Sequence, residues 1–190
     1  MRDDLNDVNS SHHLLLPQFP CLSKLAVREC RMLTCMPTFP NIKSLSLNYC
    51  SVEILQATLC IAASQYSIGC TPLSMLKSLR INETIMDMKN VPQDWFQNCT
   101  SLENLEFDDL SSQYFQALPD WICNISSLQH IKIDNCTDLA LLPEVMHRLT
   151  NLRTLEIIVK MEGGKAFLLA IFQKSYIELA SLLNIRNGSM

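Results

Sequence analysis

Six times along the chain, aliphatic residues recur in the pattern L-x-x-L-x-L, with Ile, Val or Phe admitted in place of Leu. The six copies are Leu22/Leu25/Val27, Ile42/Leu45/Leu47, Leu76/Leu79/Ile81, Leu102/Leu105/Phe107, Leu128/Ile131/Ile133 and Leu152/Leu155/Ile157. Their first members stand at 22, 42, 76, 102, 128 and 152, so successive spacings are 20, 34, 26, 26 and 24 residues. The inner half of each hexad alternates with period two, so its aliphatic residues face one side of a strand and the residues between them face the other. One short strand cannot bury its own apolar side. Six in register can, if each coil stacks on the next and all share one continuous core. At roughly 1.5–3 kcal/mol for each buried aliphatic side chain, three per coil outweigh any surface pairing the sequence offers.

The residues around the hexads complete a repeating unit. Three residues beyond the pattern stand Cys30, Cys50 and Cys136, with Thr84 and Leu110 at the same place in two other copies. A thiol there is placed to hydrogen-bond turn backbone that is otherwise unsatisfied. Four copies close on an aliphatic residue and a proline: Met36-Pro37, Val91-Pro92, Leu118-Pro119 and Leu142-Pro143. These are marks of a leucine-rich repeat. The expected fold class is α/β: a leucine-rich-repeat solenoid of about six repeats, a curved arc with a parallel sheet on the concave side and short helices and irregular turns on the convex side. Asp94-Trp95-Phe96 and Asp120-Trp121-Ile122 predict short helical turns on that convex side, with Asp as N-cap and both Trp packed there.

The same pattern divides the chain. Residues 1–18 form a polar N-terminal leader, 19–158 the repeat domain with an insertion or degenerate repeat around 56–74, and 159–190 a non-repeat tail. In the tail, Leu168, Phe172, Tyr176, Leu179 and Leu183 recur at helical spacing, with Lys174 and Glu178 one turn apart. They predict an amphipathic helix capping the open end of the stack.

Composition narrows the function. Of 190 residues, 48% are hydrophobic and 18% charged, and the net charge is -4. A disordered tail combines low hydrophobicity with high net charge and is excluded. With 15 Lys+Arg against 19 Asp+Glu there is no overall basic field for phosphates, so nucleic acid is not an expected partner. No apolar run is long enough to span a membrane, and no signal-peptide core follows Met1, so a cytoplasmic location is expected. Nine cysteines without a C-x-x-C pair, and four His without zinc-ligand spacing, predict reduced, mostly buried thiols and no metal. The Asn-x-Ser/Thr triplets at Asn9, Asn82, Asn98, Asn124, Asn135 and Asn187 are read as chance occurrences in an Asn- and Ser-rich chain.

Catalytic signatures do not appear: there is no G-x-S-x-G, H-E-x-x-H or G-x-G-x-x-G. Asp108-Asp109 reads as a solvated acidic strand end rather than a glycosidase pair, and His130 as a lone surface histidine. Gly163-Gly164-Lys165-Ala166 has Val159 where a phosphate loop needs its first Gly and Ala166 where it needs Ser or Thr. No catalytic residue, cofactor or metal is expected, and the chain is not read as an enzyme.

The exposed strand positions are more informative. The first three copies present Lys24, Arg28, Lys43, Lys77 and Arg80 against Glu29 and Glu83. The fourth presents Glu103, Glu106, Asp108 and Asp109, and the last two mix His130, Lys132, Asp134, Arg153 and Glu156. On adjacent parallel strands this predicts a basic N-terminal half beside an acidic stripe, a bipolar face on which a protein partner docks. Tyr49 is the one aromatic residue assigned to that face, and aromatics are enriched at binding hot spots.

Leu118-Pro119-Asp120-Trp121-Ile122, then Ser126 to Cys136 (SSLQHIKIDNC), then Leu142-Pro143-Glu144-Val145, resembles the C-terminal repeats of plant nucleotide-binding leucine-rich-repeat disease-resistance proteins. Phe19 to Leu25 (FPCLSKL) with Cys30 is similar to the same proteins, particularly the coiled-coil class. The resemblance covers about residues 19 to 158. It implies an intracellular immune receptor whose repeat domain recognises a pathogen effector or a guarded host protein. It also implies that this domain docks, in cis or in trans, on a nucleotide-binding module and holds it inactive. No such module lies in the chain and the tail departs from the family pattern, so a truncated form or fragment is expected. The alternative class is a leucine-rich-repeat adaptor presenting substrates to a ubiquitin ligase. It calls for an F-box-like helical segment before the first repeat, and residues 1–18 are too short to hold one.

Overall fold

The computed structural model describes residues 19–33, 39–51, 54, 73–83, 96, 99–110, 115–136, 139–160 and 166–168. Each hexad forms one strand: β1 (Lys24–Arg28), β2 (Ser44–Asn48), β3 (Ser78–Asn82), β4 (Asn104–Asp108), β5 (His130–Asp134) and β6 (Thr154–Lys160). These strands lie side by side in chain order and all pair parallel, and β7 (Ala166–Leu168) adds to β6 antiparallel. A parallel pair needs a crossover of a dozen or more residues, which the inter-hexad spacings supply.

The hexads align residue for residue. Leu25, Leu45, Leu79, Leu105, Ile131 and Leu155 are in-register partners across the sheet, as are Val27, Leu47, Ile81, Phe107, Ile133 and Ile157. From β2 to β6 these inward residues are at most 2% exposed, and Ile42, Leu76, Leu102 and Leu128 are fully buried behind them. Ahead of each strand, a tight turn adds an apolar residue that the hexad omits. The N–H of Ile42 donates to Phe39 O, Leu76 to Leu73 O, Leu102 to Cys99 O, Leu128 to Ile125 O and Leu152 to Leu149 O. All five acceptor residues are buried.

The strands leave the sheet by a common device. Directly after β1 to β5, Glu29, Tyr49, Glu83, Asp109 and Asn135 take φ values of 56, 51, 47, 52 and 54°. A left-handed residue turns the chain sharply after its own N–H, which keeps the strand's alternation and still faces the neighbouring strand. Glu29 N–H thus donates to Asn48 O, Tyr49 to Asn82 O, Glu83 to Asp108 O, Asp109 to Asp134 O and Asn135 to Ile158 O, at 2.8–3.2 Å. These five positions are turn residues, where the alternation alone reads them as strand. After β6 the equivalent residue is Val159, whose branched β-carbon makes a left-handed conformation costly. The strand instead runs on to Lys160, and β7 returns antiparallel. Leu168, expected to open a capping helix, lies in β7. The rest of that apolar stripe, from Phe172 onward, lies outside the described residues, as do the leader 1–18 and residues 56–72.

The thiols act as the spacing predicts. Cys30 Sγ donates to Arg28 O (3.1 Å), Cys136 to Asp134 O (3.4 Å), and Cys50 to Asn48 O (3.3 Å) and Val27 O (3.5 Å). All six described cysteines are free thiols, and burial pushes Cys99 up to about 12. Burial likewise pushes Cys136 up to about 12 and Cys123 up to about 11.

On the side opposite the sheet, Leu118 N–H donates to Leu141 O (3.0 Å) and Ala140 N–H to Gln116 O (2.8 Å). Short 3-10 turns, Asp120–Asn124 and Glu144–Arg148, follow Pro119 and Pro143. Asp120 is not the N-cap expected of it: extended Pro119 holds that position, no side chain caps the turn, and Asp120 is its first residue. Trp121 is buried and stacks on Phe96, with ring centroids 4.1 Å apart and planes 4° from parallel. Thr84, Met36-Pro37, Val91-Pro92 and Asp94-Trp95 lie outside the described residues. Among the described residues, no helix is long and apolar enough to cross a membrane.

Candidate functional site

Alternation that buries one side of each strand presents the other side to solvent in columns. The first column is Lys24, Ser44, Ser78, Asn104, His130 and Thr154; the middle is Ala26, Ser46, Arg80, Glu106, Lys132 and Glu156; the third is Arg28, Asn48, Asn82, Asp108, Asp134 and Ile158. Lys43, Lys77, Glu103 and Arg153 flank this face one residue before their strands. The uncharged members, Ser44, Ser46, Ser78, Asn48, Asn82, Asn104 and Thr154, were not singled out from sequence. The alternation marks them as clearly as the charges.

Ion pairs across β3, β4 and β5, with one along β5, cancel most of the charge at the centre of the face. Arg80 Nη2 donates to Asp108 Oδ2 at 2.6 Å, and its Nη1 lies 3.7 Å from Glu106 Oε2. Lys132 Nζ donates to Glu106 Oε1 at 3.2 Å and stands 3.3 Å from Asp134 Oδ2, while Lys77 Nζ donates to Glu103 Oε1 at 2.8 Å. The bond to Asp108 outweighs desolvation and, with the fields of Glu106, Asp108 and Asp134, raises Arg80. Burial pulls Lys132 down, but its bonds to Glu106 and Asp134 more than offset that and leave it raised.

The basic residues of β3 thus meet the acidic stripe of β4 side by side, with Lys132 on the stripe's far side. Neighbouring strands lie only about 4.8 Å apart, so long side chains on β3, β4 and β5 reach each other and interleave their charges. Among the described residues Lys24, Arg28 and Lys43 have no ion pair, and neither do Arg153 and Glu156 at the far end. The charge left uncompensated around β1 and β2 is therefore basic. At the turn edge, Glu83 is raised by desolvation and by the nearby Asp109 and Asp108, and Asp109 accepts from Asn135 Nδ2 at 3.1 Å.

Two other assigned residues take particular places. His130 Nδ1 shares a 2.7 Å hydrogen bond with Thr154 Oγ1, inside an open depression of about 230 Å³ lined also by Ser78, Asn104, Glu106, Lys132 and Glu156. Tyr49 is not a strand-face residue. It sits half-buried in the left-handed turn after β2, with the Arg31 guanidinium 5.9 Å over its ring. A second cavity, about 350 Å³, lies beside the Phe96–Trp121 stack, with Cys99, Asn124, Ser126 and Ser127 in its wall. No three His, Cys, Asp or Glu among the described residues gather to hold a metal ion. No family model and no curated protein matches this chain.

Proposed function

We propose that the parallel stack is a leucine-rich-repeat arc serving as a non-catalytic protein-interaction module, of the kind that forms the repeat region of plant intracellular immune receptors. Its partner on this reading is a pathogen effector, a guarded host protein, or a nucleotide-binding module on which it docks. The observation that carries the reading is the in-register sheet face. Six copies of one unit present mostly polar and charged residues in three aligned columns on the side away from the core, on a backbone backed by the buried hexads. A rigid face of this kind binds with little ordering cost and selects partners by charge pattern. The thiol-closed turns at Cys30, Cys50 and Cys136, and the Leu-Pro steps leading into the 3-10 turns, support the same assignment.

The test is light scattering after size exclusion, with the chain alone and mixed with the nucleotide-binding module of a coiled-coil-class receptor at low and high salt. A salt-sensitive complex that weakens several-fold in K43E and in E156K is expected, since both residues carry unpaired charge on the face. A chain that forms no complex at any salt, or whose complex ignores both variants, overturns the reading.

A further inference from the structure

The two edges of the sheet are not alike. At the β6 edge the chain reverses and β7 pairs antiparallel, which ends parallel growth. At the β1 edge, among the described residues, nothing pairs with the strand. The interior shows what is missing there. Lys43 N–H and Ser44 N–H both donate to Ser23 O of the preceding coil, and Asn48 O accepts from Glu29 N–H. The counterparts one coil earlier are Ser23 N–H, Lys24 N–H and Arg28 O, and none has a backbone partner among the described residues.

The apolar side of this edge is unfinished in the same way. Phe19 is 46% exposed where its counterpart Phe39 is 7%, and Val27 is 8% exposed where Leu47 is 2%. Leu22 and Leu25 are only partly buried, whereas Ile42 and Leu45 are at 0% and 1%. On the solvent side, Lys24 and Arg28 are exposed, and their register partners on β2 are the neutral Ser44 and Asn48.

We infer that the β1 edge is a docking site for one parallel strand from a partner protein, of the pattern acid–aliphatic–x–aliphatic–acid. Its register follows from the sheet itself. Aliphatic residues beside Leu25 and Val27 continue the buried columns, and carboxylates beside Lys24 and Arg28 form in-register pairs like those Glu106 makes with Arg80 and Lys132. Such strand addition takes its affinity from main-chain hydrogen bonds and its specificity from alternate side chains. A second copy of this chain does not fit. Two β1 edges meeting antiparallel about Ala26 set Lys24 against Arg28 twice over, and like charges directly opposite are destabilising. The inference rests on the sheet edge alone and stands or falls separately from the function proposed for the sheet face.

The test uses the full chain and three labelled peptides carrying Glu-Leu-Ser-Val-Glu, Lys-Leu-Ser-Val-Lys, and Glu-Leu-Ser-Val-Glu N-methylated at Val, the residue whose N–H faces β1 in this register. Fluorescence anisotropy reads affinity, and amide exchange reads position. The expected result is at least tenfold tighter binding of the first peptide than of the other two, with new protection at Ser23 and Lys24. The variant K24E/R28E is expected to reverse the preference between the two charged peptides, and R148E, on the side opposite the sheet, to leave it unchanged. Equal binding of the charged peptides, or protection at β7 instead of β1, overturns the inference. Binding seen only after removal of residues 2–10 also overturns it, since the occupant is then the chain's own acidic segment Asp3 to Val8.

Discussion

Replacing Ile131 by Ala removes three methylene-sized groups from the centre of the stack. Ile131 is 1% exposed, and its register neighbours are Leu105 on β4 and Leu155 on β6. At about 0.8 kcal/mol per buried group, the lost transfer free energy is roughly 2.4 kcal/mol. Strand pairing holds both neighbours in place, so the void does not close and a further ~1–2 kcal/mol is lost to the cavity. The expected total is about 3–4 kcal/mol, a large part of the ~5–15 kcal/mol that stabilises a typical domain. Its location matters more than its size. β5 pairs only with β4 and β6, and a stack whose units touch nearest neighbours loses stability locally. Urea unfolding measures the total, and amide exchange shows where it falls. Protection should drop across β4 to β6 while β2 and β3 keep most of theirs. Leu25→Ala, at the partly exposed end, should cost about half as much. A loss below about 1 kcal/mol for I131A, or equal deprotection of β2 and β5, would refute a stacked core with nearest-neighbour coupling.

Other expectations concern turns, thiols and charges. Glu83→Gly relieves a left-handed non-glycine residue and a carboxylate held above its ordinary range. Net of the entropy that glycine adds to the unfolded chain, it should raise stability by about 0.5 kcal/mol in urea melts. Tyr49→Val, which puts a branched β-carbon at φ 51°, should instead cost about 1–2 kcal/mol in the same melts. The buried thiols Cys99, Cys123 and Cys136 stay protonated up to about 12, 11 and 12, against 9.0 in an unfolded chain. Their folded values are raised, so their contribution is full below pH 9 and is lost as pH rises from there. The slope is about 1.4 kcal/mol per pH unit for each thiol, and urea midpoints across this range should show it shrinking in C99A and C136A. Arg80→Glu breaks the bond to Asp108 and sets a third carboxylate beside Asp108 and Glu106. Because Arg80 is partly exposed, the expected cost is about 1 kcal/mol at low salt, shrinking at 1 M salt; a cost that ignores salt argues against an electrostatic origin.

Much of the fold was legible in the sequence. The hexads from Leu22 to Ile157 named the strands and their inward residues, because alternation is a local property and burial of one side follows from it. The thiols of Cys30, Cys50 and Cys136 were equally legible, since their place just past the strand is set by spacing. The candidate site was legible only as a set of exposed positions. Glu106 was assigned to an acidic stripe, yet it holds Arg80 on one side and Lys132 on the other. Lys132 has Glu156 as its register partner and turns instead to Glu106 and Asp134.

By itself, then, the sequence determined that six aliphatic units stack in register, which residues they bury, and which side of each strand meets solvent. Those follow from a period of two repeated often enough to leave a single consistent alignment. The tertiary structure alone decided which charges cancel between strands, because partners more than twenty residues apart in sequence become neighbours about 4.8 Å apart only once the strands pair. It also decided where the stack stops. The five-residue strands end where Glu29, Tyr49, Glu83, Asp109 and Asn135, having donated to the next strand's carbonyl, turn left-handed and leave the sheet. After β6 the branched Val159 stands at that place, and the chain runs on to meet β7 rather than turning off the sheet.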